Sequence, residues 1–169
     1  MMIPLKVVLA LGSNLGDRMN HLNHAVNFLS DTIDDILCSS VYETAPWGYE
    51  EQPYFLNMVV SGYYSDSAVS LLHFCQSTER AIGRTSSFLY GPREIDIDIL
   101  LYGTNIIDEE GLTIPHPKML ARAFVLIPLA EILPEMVIPD TNMTVTALLQ
   151  RIGSPAAAVI KWGSLKGSN

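Results

Sequence analysis

The chain has 169 residues, with ten Lys and Arg against eighteen Asp and Glu, for a formal net charge of -8. Hydrophobic residues make up 49% and charged residues 17%, which excludes a disordered chain and provides for one substantial core. The acidic excess argues against nucleic-acid binding, which calls for a basic stripe to neutralise phosphates.

Along the chain, the apolar run Val7 to Leu11 predicts a first buried strand. It is shorter than a signal-peptide core, and no stretch approaches the roughly 18 apolar residues of a membrane span. A cytoplasmic protein without a membrane partner is expected. Gly12-Ser13-Asn14-Leu15-Gly16 matches neither Gly-x-Gly-x-x-Gly nor the P-loop, and reads as a tight turn into a helix. Asp17 can cap that helix, whose apolar positions are Met19, Leu22, Ala25, Val26 and Leu29. Ile36 to Tyr42 and Phe55 to Tyr63 predict the second and third strands. Ser65 or Asp66 can cap a second helix with Val69, Leu72, Cys75 and Ile82 inward, and Gly83 can end it. Ile95 to Tyr102 predicts the fourth strand. Cys38 and Cys75 fit neither a zinc spacing nor a disulfide framework, and read as buried free thiols.

This order is an α+β, ferredoxin-like βαββαβ core: a mixed, mostly antiparallel sheet with helices packed on one face. A C-terminal helical extension follows. It has a short helix near Lys118 to Leu126, interrupted by Pro128, and a last helix around Val145 to Ile152. A single domain spans 1–169, with its core over 5–152 and a Gly/Ser-rich tail over 153–169 that is expected to fray.

The most informative segment runs from Tyr90-Gly91-Pro92-Arg93 through Asp96-Ile97-Asp98 to Leu101. Alternation puts Asp96 and Asp98 on one strand face, about 6–7 Å apart at the root, and Ile95, Ile97 and Ile99 on the other. Two such carboxylates repel unless a cation sits between them, and Mg²⁺ shared with substrate phosphates is the natural choice. An edge strand with a solvated acidic face would show the same Asp-x-Asp. The surrounding residues separate the two readings. Arg93 follows a rigid Gly-Pro turn, and Arg80 and Arg84 stand one helical turn apart nearby, so an anion site beside the metal site is expected. An ordinary ion pair, such as Glu79 with Arg84, is the plainer role for any single arginine. His116 lies in a stiff segment between Pro115 and Pro117, whereas His21, His24 and His73 fall on predicted helices as surface or packing residues.

Taken together, these segments resemble 6-hydroxymethyl-7,8-dihydropterin pyrophosphokinases of folate biosynthesis, from Val7 to Pro139. The anchors are Leu11-Gly12-Ser13-Asn14-Leu15-Gly16-Asp17-Arg18, Tyr42-Glu43-Thr44-Ala45-Pro46 with Asn57, and Gly91-Pro92-Arg93 with Asp96-Ile97-Asp98. Ile114-Pro115-His116-Pro117 with Arg122 and Phe124 completes the set. The resemblance implies transfer of the intact β,γ-pyrophosphoryl unit from ATP to the pterin hydroxymethyl group, with two Mg²⁺ ions held by Asp96 and Asp98. It implies Arg84 and Arg93 as catalytic cations. Gln76, Glu79, Arg93, Ile99, His116 and Arg122 would be nucleotide contacts. Thr44, Ala45 and Trp47 would line the pterin pocket through backbone groups. The Asn57 amide would read the ring, and Phe55 and Phe124 would sandwich it. Both Phe residues fit a core role equally well on pattern alone.

The sequence departs from the family in the loop Thr85-Ser86-Ser87-Phe88-Leu89-Tyr90, which carries no charge where the family's catalytic lid has several basic residues and a Trp. Lys118 is a candidate for part of that missing charge. A noncatalytic ligand-binding module and a kinase transferring only the γ-phosphoryl group are the competing readings. Partners are expected to be the two small substrates, with the chain as a monomer. Five of the ten basic residues (Arg80, Arg84, Arg93, Lys118 and Arg122) lie between positions 80 and 122, a basic rim inside an acidic protein.

Overall fold

The computed structural model describes residues 2–153 and 158–165. Strand β1 (Leu5–Ser13) leads into helix α1 (Arg18–Ser30), where the Asp17 carboxylate accepts from the Asn20 amide at 3.1 Å, as expected of an N-cap. The predicted second strand is two: β2 (Asp34–Cys38) and β3 (Val41–Thr44). Both pair with β4 (Phe55–Tyr64). Between them, the Ser39 side chain takes the Val59 amide at 2.9 Å, breaking the ladder at that point.

Helix α2 (Ala68–Ile82) is capped by Ser67, not by Ser65 or Asp66. The Ser67 hydroxyl accepts from the Ser70 amide, so the helix starts later and Val69 turns outward to 44% exposure. Gly83 ends it at φ 111°, a conformation that suits a residue without Cβ. Strand β5 (Asp96–Tyr102) follows, then a hairpin of β6 (Ile107–Glu109) and β7 (Leu112–Ile114).

The main sheet runs β10 (Ile160–Gly163)-β3-β4-β1-β5, with β2 extending the β3 side of β4. Every strand pairing among the described residues is antiparallel, so the sheet is not mixed. The order β3-β4-β1-β5 is that of a ferredoxin-like α+β core.

Beyond it, a 3₁₀ turn (Met119–Ala121) opens into α3 (Ala123–Ile132), which runs through Pro128. The missing Pro128 N–H leaves the Phe124 carbonyl without its helical donor. Yet α3 is apolar except for Glu131, and Pro128 is itself buried, so packing outweighs one lost hydrogen bond. A short hairpin of β8 (Val137–Ile138) and β9 (Met143–Thr144) precedes α4 (Val145–Ile152), which Thr144 caps.

Helices therefore cover both sheet faces rather than one. On the first face, Val7, Leu9, Leu11, Ile97 and Ile99 pack with Leu22, Ala25 and Leu29 of α1 and Leu71 and Cys75 of α2. On the second, Val8, Val59, Leu100 and Leu101 meet Val125, Leu126 and Leu129 of α3 and Val145 and Leu148 of α4. The two helical extensions contribute an apolar cluster of their own.

The tail does not simply fray. Ile160–Gly163 forms β10 on the outer edge of β3, with Lys161 opposite Tyr42, while 154–157 and 166–169 lie outside the described residues. Cys38 and Cys75 are free thiols, the first half-buried and the second buried, and burial pushes them up to about 11 and about 12.

Candidate active site

Strand register lays the floor of a cavity of about 440 Å³ on the second sheet face. Gly12 stands opposite both Asn57 of β4 and Asp96 of β5, and its neighbour on the same face, Ala10, stands opposite Asp98. A Cβ at Gly12 would lie 2.9 Å from Asn57 Oδ1, so only glycine leaves this row open. Gly12 and Ser13 thus belong to the strand, not to a turn into α1.

The two carboxylates have different surroundings. Asp96 is gripped from both sides: Arg84 Nη1 lies 3.0 Å from one oxygen and Arg93 Nη1 3.1 Å from the other. Arg84 also reaches Glu79 at 2.6 Å. Glu79 is buried in the adjoining layer and accepts the Ile97 amide at 2.7 Å. Burial raises the Glu79 carboxyl, and the Ile97 hydrogen bond opposes that rise. Asp98 receives no hydrogen bond from the described residues; its nearest charge partner is His116, with Nε2 at 3.9 Å. Burial first, and then the Asp96 charge, pushes the Asp98 carboxyl up to about 7. The Lys118 amide donates to His116 Nδ1 at 3.2 Å, which leaves the ring proton on Nε2, toward Asp98. Burial and then the Arg122 charge hold His116 below its usual range.

Thr44, Ala45, Trp47, Phe55, Asn57, Arg84, Arg93, Asp96, Asp98, His116, Arg122 and Phe124 all line this cavity. The Asn57 amide donates to Thr44 Oγ1 at 2.7 Å, orienting its carbonyl oxygen toward Gly12. Phe55 and Phe124 are half-buried rather than core, each with a guanidinium beside its ring: Arg93 at 5.8 Å and Arg122 at 5.4 Å. Among the described residues Arg122 makes no ion pair, and its Nε–H is buried without an acceptor; the Arg93 Nε–H is orphaned likewise. Buried donors of this kind need an acceptor from outside the chain, a water or an anion.

Four predicted residues lie off this cavity. Ile99 is on the opposite strand face and lines a second cavity of about 280 Å³ with Leu72, Gly111, Leu112 and Thr113. Gln76 is exposed on α2, one turn beyond Leu72, and Glu79 acts beneath the floor through Arg84. Arg80 is exposed and borders neither cavity. The two cavities meet at Asp98, His116 and Pro117.

Sequence reasoning missed two residues that shape the walls. The buried Asn14 donates to Gln52 Oε1 and Pro53 O, both at 2.9 Å, and accepts the Arg93 amide at 2.8 Å. Gln52 in turn donates to the Tyr49 and Tyr90 carbonyls at 2.6 and 2.7 Å. These amides tie the loop before β4 to the loop before β5. The accessible signal was an Asn directly after a strand that had no helix to cap.

A family model described as 7,8-dihydro-6-hydroxymethylpterin-pyrophosphokinase matches residues 8–134. The chain is 47% identical over 126 residues to the 2-amino-4-hydroxy-6-hydroxymethyldihydropteridine pyrophosphokinase of Bacillus subtilis (strain 168), covering 73% of this chain and 75% of that protein. The protein of the same name from Aquifex aeolicus (strain VF5) is 41% identical over 133 residues, covering 79% and 83% respectively. Among solved structures, a Plasmodium falciparum HPPK-DHPS triple mutant superposes with a TM-score of 0.71 at 16% identity, over 89% of this chain. The chain spans 44% of that longer protein, and at such identity the likeness concerns the fold alone.

Proposed function

This chain belongs to the 7,8-dihydro-6-hydroxymethylpterin-pyrophosphokinase family, enzymes of folate synthesis, and from that premise we propose that it transfers the β,γ-pyrophosphoryl unit of ATP to 6-hydroxymethyl-7,8-dihydropterin. The products are AMP and the pterin diphosphate. One observation carries the reading: the two cavities share Asp98, His116 and Pro117. A nucleoside in the smaller cavity and a flat heterocycle in the larger one would bring triphosphate and hydroxymethyl group together over the Asp pair.

The pterin ring fits between Phe55 and Phe124, where offset stacking suits a flat heterocycle. The Asn57 amide and the backbone at Thr44 and Ala45 supply complementary donors and acceptors at its edge. The nucleoside lies against Leu72, Ile99, Leu112 and Thr113, with Gln76 at the rim. Arg122 and Arg93 offer their orphaned Nε–H groups, and His116 its Nε2–H, to phosphate oxygens. The hydroxymethyl oxygen gives up its proton to solvent and bonds to the β-phosphorus as the bridging bond to the α-phosphate breaks, and AMP leaves with the bridging oxygen. The chain's residues do this by positioning and charge, with no covalent intermediate.

Asp96 and Asp98 fit Mg²⁺. Their side chains are 26% and 37% exposed toward the cavity. Among the described residues no cluster of three or more acidic, His or Cys side chains encloses an ion. That openness suits a hard ion held by one or two carboxylates and completed by substrate phosphates and water. When bound, two such ions would neutralise triphosphate charge and polarise the transferred group. Arg84 and Arg93 hold Asp96 in place for that purpose, and Asp98 is left free to ligate.

Purified protein incubated with ATP, Mg²⁺ and the hydroxymethylpterin should form AMP and pterin diphosphate in equal amounts. ADP as the nucleotide product would point to transfer of one phosphoryl group instead. Absence of AMP across a series of divalent ions would overturn the reading.

A further inference from the structure

We propose that Lys118 is a further phosphate-contacting cation of this site, held over the cavity by Trp47 and Tyr90, and that it supplies charge which the loop Thr85 to Tyr90 lacks. The identity of the anion rests on the ATP-dependent reading above; the placement of the cation does not.

Lys118 lines the larger cavity and not the smaller one. Its ammonium lies 5.3 Å from the Trp47 ring centroid and 4.8 Å from that of Tyr90, and it donates to the Tyr90 hydroxyl. Trp47 and Tyr90 meet edge to face at 5.0 Å, so the two rings form one support. No carboxylate among the described residues pairs with Lys118.

A surface lysine normally keeps its four-carbon stem mobile and its ammonium hydrated. Here the ammonium is bonded to the Tyr90 hydroxyl and lies beside the Trp47 ring instead. Arg122, also in no ion pair among the described residues, lies 5.4 Å from the same Trp47 centroid. Two cations on one indole at one cavity wall, neither in an ion pair among the described residues, repel each other, and a polyanion between them reverses the sign of that interaction.

The loop contributes Phe88 and Leu89, exposed at 58% and 79%, but no charged side chain. Its last residue, Tyr90, carries the hydroxyl that receives Lys118. The ammonium is therefore tied to the end of that loop while belonging to the segment that also bears His116 and Arg122. Because Lys118 borders only the larger cavity, its target is the transferred end of the polyphosphate and not the nucleoside end.

The test compares the parent with Lys118→Met, which keeps the stem and removes the charge, and with Lys118→Arg, which restores the charge. Lys118→Met should lower kcat/KM for ATP by about tenfold to a hundredfold. The pterin KM should stay within about twofold and the thermal midpoint should not move. Lys118→Arg should recover most of the loss. Calorimetric titration with inorganic tripolyphosphate should weaken by about tenfold in Lys118→Met, while titration with AMP is unchanged. Parental kcat/KM in Lys118→Met, or equal weakening for AMP and tripolyphosphate, would overturn the proposal. If the parent itself forms no AMP, the pyrophosphokinase reading fails separately. The tripolyphosphate titration then decides on Lys118 alone: weaker binding supports it and unaltered binding refutes it.

Discussion

The two faces of the central sheet carry opposite assignments on the same three strands. On the face toward α1 and α2, β1, β4 and β5 present Val7, Leu9, Leu11, Val60, Ile97 and Ile99, and helices of 13 and 15 residues close over them. On the other face the same strands present Val8 and Val59 at one end, under α3 and α4, and Gly12, Asn57, Asp96 and Asp98 at the other. The covering helices there are only 10 and 8 residues long. One face is thus closed by apolar packing except where the smaller cavity opens beside Leu72, Ile97 and Ile99, and the other is half closed and half left to polar groups and the larger cavity. A strand period of two lets one segment, Asp96 to Leu100, serve both. Apolar packing dominates the first face, and the Asp pair lies on the open end of the second.

That division can be broken most sharply at the carboxylates. Asp98→Asn should reduce AMP formation by about a thousandfold or more, because a neutral amide is a poor ligand for a hard ion. It should also raise the thermal midpoint at neutral pH, since it removes a carboxylate that burial and Asp96 disfavour in the folded state. Turnover assays and thermal melts on the same preparation check both; an active Asp98→Asn enzyme would place the ion elsewhere.

The converse change belongs to the closed face. Leu71→Ala, at a fully buried position of α2, should cost about 2–5 kcal/mol of stability. Activity per folded molecule should be unaltered, as measured by denaturant titration and by kinetics well below the melt.

Phe124→Ala sharpens the boundary within the second face. It should weaken pterin binding by about tenfold and ATP binding by much less. An equal loss for both would assign Phe124 to the apolar cluster under α3 instead of to the ring sandwich.

Glu131 gives the smallest effect. It accepts the Ser40 amide and hydroxyl, both at 2.8 Å, and the Tyr42 hydroxyl, tying the end of α3 to the start of β3. Burial pushes its carboxyl up, but the Tyr42 and Ser40 hydrogen bonds outweigh that and hold it below the ordinary value. A depressed carboxylate contributes stability above its unfolded pKa and loses it as pH falls through the folded one. Glu131→Gln should therefore cost about 1 kcal/mol near neutrality, with the difference from the parent shrinking below about pH 4 in pH-dependent melts.

Much of this was legible in the sequence because it is local. Alternation at Ile95 to Asp98, the caps at Asp17 and Gly83, and the motif around Gly91-Pro92-Arg93 all depend on neighbours a few residues apart. The Ser67 cap was missed because three successive residues, Ser65, Asp66 and Ser67, can each play that part, and only the docking of Ala68 and Leu71 decides among them. Strand β10 was missed because its edge position leaves Ile160 and Trp162 exposed, so no alternation marks it.

What the sequence determined alone was the order of the βαββαβ core elements, most of their apolar faces and the presence of an Asp pair in basic company. Tertiary structure decided how that company is divided. It placed both arginines on Asp96 and none on Asp98, orphaned Arg122, and opened a second cavity against Ile99. It also made Gly12 part of a floor and Asn14 a tie to Arg93 across 79 residues. Local period follows from backbone geometry and can be read along the chain. Which charges share a cavity follows from strand register and helix docking, which bring together residues whose separation in sequence carries no signal.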